Sequence, residues 1–127
     1  MQPAFAVTTF LFTDIEGSSR LWEQEPLRMR AALARHDAIV RTSVEGNRGV
    51  VVKMTGDGVD AAFEDPLDAI EAVLQLQQSV ADPATTGGIA LRVRCGLHAG
   101  AAEHRDDDYF GNTVNRAARI MELSYKL

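Results

Sequence analysis

Two acidic turns hold the residues whose type and spacing allow chemistry. In Phe12-Thr13-Asp14-Ile15-Glu16-Gly17-Ser18-Ser19, an aspartate falls where a β-rich run ends and small residues follow. In Val51 to Phe63, VVKMTGDGVDAAF, Asp57 stands between Gly56 and Gly58. The two glycines are expected to take positive φ and turn the chain back on itself. A hard divalent cation such as Mg²⁺ takes carboxylate oxygens and completes its shell with phosphate oxygens of a substrate. Two aspartates at the ends of neighbouring strands could share two such cations, activating an attacking oxygen and stabilising a leaving one. The backbone N–H groups of Glu16 to Ser19 would open a helix toward phosphate oxygens. Either aspartate alone is an ordinary turn former; the pair, with the small-residue turn after Asp14, favours a site.

Other polar residues are weaker signals. Lys53 stands inside an otherwise apolar strand, and burying an unpaired ammonium is costly, so it needs a reason. Asn115 and Arg119 are four apart and share a helix face, where an amide and a guanidinium suit a sugar-phosphate site. Taken alone, that face reads as solvated. Asp106-Asp107-Asp108 reads as a solvated acidic loop. His36 lies on an apolar stripe and reads as a packed core histidine. His98 and His104 have no partners at metal-ligand spacing. Phe10, Phe12 and Trp22 read as core aromatics.

The elements that must position these residues follow from periodicity. Val7 to Thr13 is continuously apolar or β-branched and predicts a strand covered on both faces. A short helix opens at Gly17-Ser18-Ser19, with Leu21 and Trp22 as its apolar contacts. A longer one runs from the Pro26 region to about Val44, with Met29, Leu33, His36, Val40 and Val44 on one face. After the central hairpin, Asp65 and Pro66 read as N-cap and first helical residue. Leu67, Ile70, Val73, Leu74 and Val80 are expected inward, and the helix stops near Asp82-Pro83. Ile89 to Ala99 alternates and predicts a strand. A polar loop, Glu103 to Asp108, leads to a last helix from about Thr113 to Glu122. The pattern predicts one α+β domain, a ferredoxin-like mixed sheet with helices packed on it.

Composition narrows the function classes. The chain has 127 residues, 46% of them hydrophobic, enough for one domain with a core. A net charge of −5 argues against binding nucleic acid or an anionic membrane through bulk charge. A metal-bound nucleotide stays possible, because the cation neutralises the phosphates. The single cysteine, Cys95, excludes an internal disulfide and a cysteine-rich zinc site. No run approaches the ~18 apolar residues of a membrane span, and no basic-then-apolar leader is present, so a cytoplasmic protein is expected.

Together these residues resemble the class III nucleotidyl cyclase catalytic domain, the adenylyl and guanylyl cyclase family, of bacterial adenylyl cyclase type. The resemblance is carried by FTDIEGSSRLWE (Phe12 to Glu23), VVKMTGDGVDAAF (Val51 to Phe63), CGLHAG (Cys95 to Gly100) and DYFGNTVNRAAR (Asp108 to Arg119). It implies a palm-type fold and two divalent cations, Mg²⁺ or Mn²⁺, held by Asp14, Asp57 and the Ile15 carbonyl. It implies that Gly17, Ser18 and Ser19 wrap the triphosphate. Lys53 matches the lysine that reads adenine, and Asp108 its acidic partner. Asn115 matches the residue that orients the ribose, and Arg119 the one that stabilises the α-phosphate. In guanylyl members an acidic residue replaces the lysine, so the Lys53/Asp108 pair implies ATP. The reaction implied is attack of the ribose 3′-oxygen on the α-phosphorus, giving 3′,5′-cyclic AMP and pyrophosphate.

The resemblance further implies a head-to-tail homodimer. Asp14 and Asp57 of one chain would face Lys53, Asp108, Asn115 and Arg119 of the other. Residues 1–127 are expected to form a single such domain, without a match to the further strands with which family domains usually continue. A non-catalytic nucleotide-binding or dimerisation module derived from a cyclase is the alternative. The G-G-[DE]-E-F signature of cyclic-dinucleotide synthases is absent: Gly87-Gly88 is followed by Ile89-Ala90.

Overall fold

Among the described residues, five strands pair in the order β2-β3-β1-β4-β5, and every neighbouring pair is antiparallel. The computed structural model describes the backbone of residues 4–105 and 108–110, and the burial of residues 7–101. The central strand β1 (Ala4–Ile15) pairs with β3 (Gly58–Phe63) on one side and β4 (Val93–Arg105) on the other. The edges are β2 (Val50–Met54) and β5 (Asp108–Phe110). Leu11 and Ile15 face the main core, while Phe10 and Phe12 alternate with them and are buried too. The continuous apolar run of β1 thus reflects a strand covered on both faces.

Helices α2 (Pro26–Glu45) and α3 (Pro66–Val80) pack over one face of this sheet. Met29, His36, Val40 and Val44 of α2 are buried at helical spacing, and Leu33 is partly buried, as the periodicity predicts. Burying each large aliphatic of this cluster contributes about 1.5–3 kcal/mol. The His36 ring is fully buried, with Nδ1 2.9 Å from Asp37 Oδ1. Asp65 caps α3 through a hydrogen bond from the Leu67 N–H at 2.9 Å, with Pro66 in the first turn.

Three expectations are corrected. Leu67, Ile70 and Leu74 are exposed at 67, 45 and 52%, while Ala69, Ala72, Leu76 and Val80 face inward. Both stripes have helical spacing, so periodicity cannot choose between them. The small inward alanines let α3 pack closely, and Arg48 pairs with Asp68, a residue of the first turn of α3. Trp22, on the short helix α1 (Ser18–Gln24), is 38% exposed and is no core residue; Leu21 alone of the two packs against the core. The strand expected from Ile89 starts at Val93, although Ile89 and Leu91 are buried, and it extends through the expected polar loop to Arg105. The helix expected from Thr113 to Glu122 lies outside the described residues. Among the described residues, no helix is long and apolar enough to cross a membrane.

Candidate metal and nucleotide site

Strand pairing brings the two acidic turns together. Asp14, the penultimate residue of β1, stands opposite Gly58 at the start of β3. The Ile15 N–H donates to the Asp57 carbonyl at 2.8 Å. The Ser18 hydroxyl donates to Asp57 Oδ2 at 3.1 Å, so the first residue of α1 holds the carboxylate of the other turn. Thr13 adds a further tie, its Oγ1 accepting from the Val59 N–H at 3.0 Å.

The glycines have different tasks. Gly56 has φ +89°, as the hairpin turn requires. Gly58 does not share that conformation. A Cβ there would lie 1.9 Å from the Thr13 carbonyl oxygen, so Gly58 exists for close backbone approach. Gly17 has φ +69° and turns the chain from β1 into α1. The Glu16 N–H, expected to face phosphate, instead donates to the Arg92 carbonyl at 2.8 Å.

Lys53 is exposed on edge strand β2, so no cost of burying its ammonium arises. A register shift between Val51 and Lys53 explains its direction. Strict alternation would send Lys53 to the core side with Val51. The extra residue sends it to the other face, opposite Asp60. That face also carries Asp14, opposite Arg94. Asp108 lies in β5, on the other edge of the sheet, where its backbone pairs with Arg105. Three described strands, β3, β1 and β4, lie between the strands that carry Lys53 and Asp108. Asn115 and Arg119 lie outside the described residues.

Arg94 is the participant that sequence reading missed. Its Nε donates to Asp14 Oδ1 and its Nη2 to Oδ2, both at 2.7 Å. The two residues are 80 positions apart, and only strand register places them side by side. The available signal was a guanidinium alternating with Val93 and Cys95 in a strand pattern.

The donor set fits a hard cation that arrives with a phosphate ligand. Asp14 and Asp57 stand on adjoining turns at one end of the sheet, and carboxylates are the ligands that such a cation takes beside phosphate oxygens. Among the described residues, no three His, Cys, Asp or Glu side chains converge as a metal-binding group.

Next to the site, burial pushes the Cys95 thiol up to about 11. A hydrogen bond from Gln77 opposes the rise, and the Asp14 charge adds to it. The raised value favours the folded state fully below the unfolded pKa of ~8.5. That contribution is lost as pH rises through about 11. Between these values the folded protein should lose up to ~1.4 kcal/mol per pH unit relative to Cys95→Ala. Urea unfolding of both proteins from pH 8 to pH 11 measures it; parallel curves would refute it.

Comparison with known proteins places this geometry in context. The sequence profile of the adenylate and guanylate cyclase catalytic domain matches residues 1–126. An uncharacterized protein of Mycobacterium tuberculosis is 35% identical over 125 residues, covering 97% of this chain and 41% of that protein. An adenylate cyclase of Lachancea kluyveri is 32% identical over 149 residues, covering 94% of this chain and 8% of that protein. The chain spans less than half the length of these curated relatives. Among solved structures, a bacterial light-regulated adenylyl cyclase superposes with a TM-score of 0.83 at 25% identity, over 98% of this chain and 73% of that one. A Trypanosoma brucei adenylate cyclase in its monomeric state superposes with a TM-score of 0.79 at 28% identity, over 91% and 67%.

Proposed function

The chain belongs to the adenylate and guanylate cyclase catalytic domain family, and from that premise we propose that it converts ATP to 3′,5′-cyclic AMP and pyrophosphate at sites shared between two copies. The observation that carries this reading is the meeting of Asp14 and Asp57 at neighbouring strand ends, tied by the Ile15 N–H and the Ser18 hydroxyl.

Asp14, Asp57 and the Ile15 carbonyl would hold two divalent cations, Mg²⁺ or Mn²⁺, which when bound neutralise the triphosphate and acidify the ribose 3′-hydroxyl. Ser18 fixes the Asp57 carboxylate in place, and the turn of Gly17, Ser18 and Ser19 covers the triphosphate. The 3′-oxygen attacks the α-phosphorus, its proton passes to solvent water, and the bond to pyrophosphate breaks. Asn115 orients the ribose, and Arg119 stabilises the charge that grows on the α-phosphate.

Selection of ATP is assigned to Lys53. Its ammonium donates to adenine N1, whereas guanine presents a protonated nitrogen there. A mismatched polar pair costs ~1–3 kcal/mol per group, enough for a strong preference. Asp108, whose backbone lies in β5, would accept from the exocyclic amine. Exposure of Lys53 on the edge strand suits a site completed by a second, head-to-tail copy.

The test is product formation from ATP and from GTP with Mg²⁺ or Mn²⁺ at several protein concentrations. Cyclic AMP from ATP alone, with specific activity rising with concentration, is expected. Cyclic GMP formed from GTP in equal yield would overturn the assignment to Lys53. No cyclic product at any concentration would leave a nucleotide-binding or dimerisation module.

A further inference from the structure

The two aspartates are held by partners of different kinds. Asp57 accepts from a neutral hydroxyl, Ser18. Asp14 accepts from a guanidinium through both carboxylate oxygens, at 2.7 Å each. Asp14 and Arg94 are each only 17% exposed, so water screens the pair weakly. A two-point match of guanidinium and carboxylate is among the stronger polar contacts in proteins. A divalent cation approaching Asp14 needs oxygen lone pairs already engaged and meets a positive charge beside them. Among the described residues, no such charge is hydrogen-bonded to the Asp57 carboxylate.

We infer that Arg94 is an internal counter-ion that guards Asp14 in the nucleotide-free protein. A divalent cation then gains Asp14 only by loosening the guanidinium, while Asp57 stays available. The inference rests on the reading of Asp14 as a cation ligand. Arg94 is a positioning residue here: it acts on the cation through Asp14. The placement comes from register alone, because Arg94 is the residue directly across the β1–β4 ladder from Asp14.

Mn²⁺ titration without nucleotide, followed by the electron paramagnetic resonance signal of the free ion, tests it. Wild type, Arg94→Gln, Arg94→Lys, Asp14→Asn and the double variant Asp14→Asn/Arg94→Gln are compared, with circular dichroism to establish folding. Arg94→Gln should bind Mn²⁺ about tenfold more tightly than wild type, or ~1.4 kcal/mol. Arg94→Lys keeps the charge without the planar fork and should fall between them. Equal or weaker Mn²⁺ binding by folded Arg94→Gln overturns the inference. If Arg94→Gln does not fold, Arg94→Lys decides, and affinity no better than wild type overturns it. If the double variant binds as tightly as Arg94→Gln, Asp14 is not a ligand, and the reading beneath the inference fails instead.

Discussion

Asp57→Asn should lower cyclic AMP formation by ~10³-fold at saturating ATP while leaving the fold intact. Asparagine keeps the size of aspartate and one oxygen, so the Ser18 hydroxyl retains an acceptor. What disappears is the negative charge that would hold a cation against the triphosphate. Asp14→Asn should lose as much activity and also some stability. Its partner Arg94 is partly buried and would lose the two charged contacts to Asp14, at a cost of ~1–3 kcal/mol. Initial rates with thermal unfolding of both variants measure this. An Asp57→Asn protein with a tenth of wild-type activity would contradict the assignment.

Gly58→Ala is expected to have the largest effect on stability. The added carbon would lie 1.9 Å from the Thr13 oxygen and 3.2 Å from the Asp14 Cα. Neither atom belongs to a flexible side chain. Thr13 is in the central strand, bonded to β3 through its hydroxyl and paired with Cys95 of β4 on the other side. Relief therefore means parting β1 from β3, at a loss of ~3 kcal/mol or more. The same movement would separate Asp57 from Asp14, so activity should fall with stability. Gly56→Ala is the contrast. Among the described residues beyond its chain neighbours, no atom lies within 4 Å of its added carbon, and φ +89° opposes the change, a cost of ~1–2 kcal/mol. Denaturant midpoints should rank wild type above Gly56→Ala and Gly56→Ala above Gly58→Ala. The reverse order of the two variants would contradict the steric account.

What the sequence made legible was local. Continuous apolar residues marked β1 as covered on both faces, and His36 fell within the buried stripe of α2. Asp65 and Pro66 marked the start of α3 by cap chemistry. Both acidic turns were visible, and their meeting followed once β1 and β3 paired. What stayed hidden depends on register or on competing faces. The shift at Val51 and Lys53 turns a lysine from one sheet face to the other, and nothing in alternation announces it. Two equally periodic stripes on α3 hid which would be buried. The contact between Arg94 and Asp14 needs the β1–β4 register, which no local pattern contains.

Mixing two inactive variants tests the central claim most directly. In the proposed dimer, Asp14 of one chain and Arg119 of the other serve the same nucleotide. Asp14→Ala and Arg119→Ala should each be inactive alone. In a heterodimer, one site carries both changes and the other carries neither. With random exchange half the dimers are mixed, so cyclic AMP formation from ATP should return to roughly a quarter of the wild-type rate. Stable heterodimers with no recovered activity would contradict a site shared between two chains.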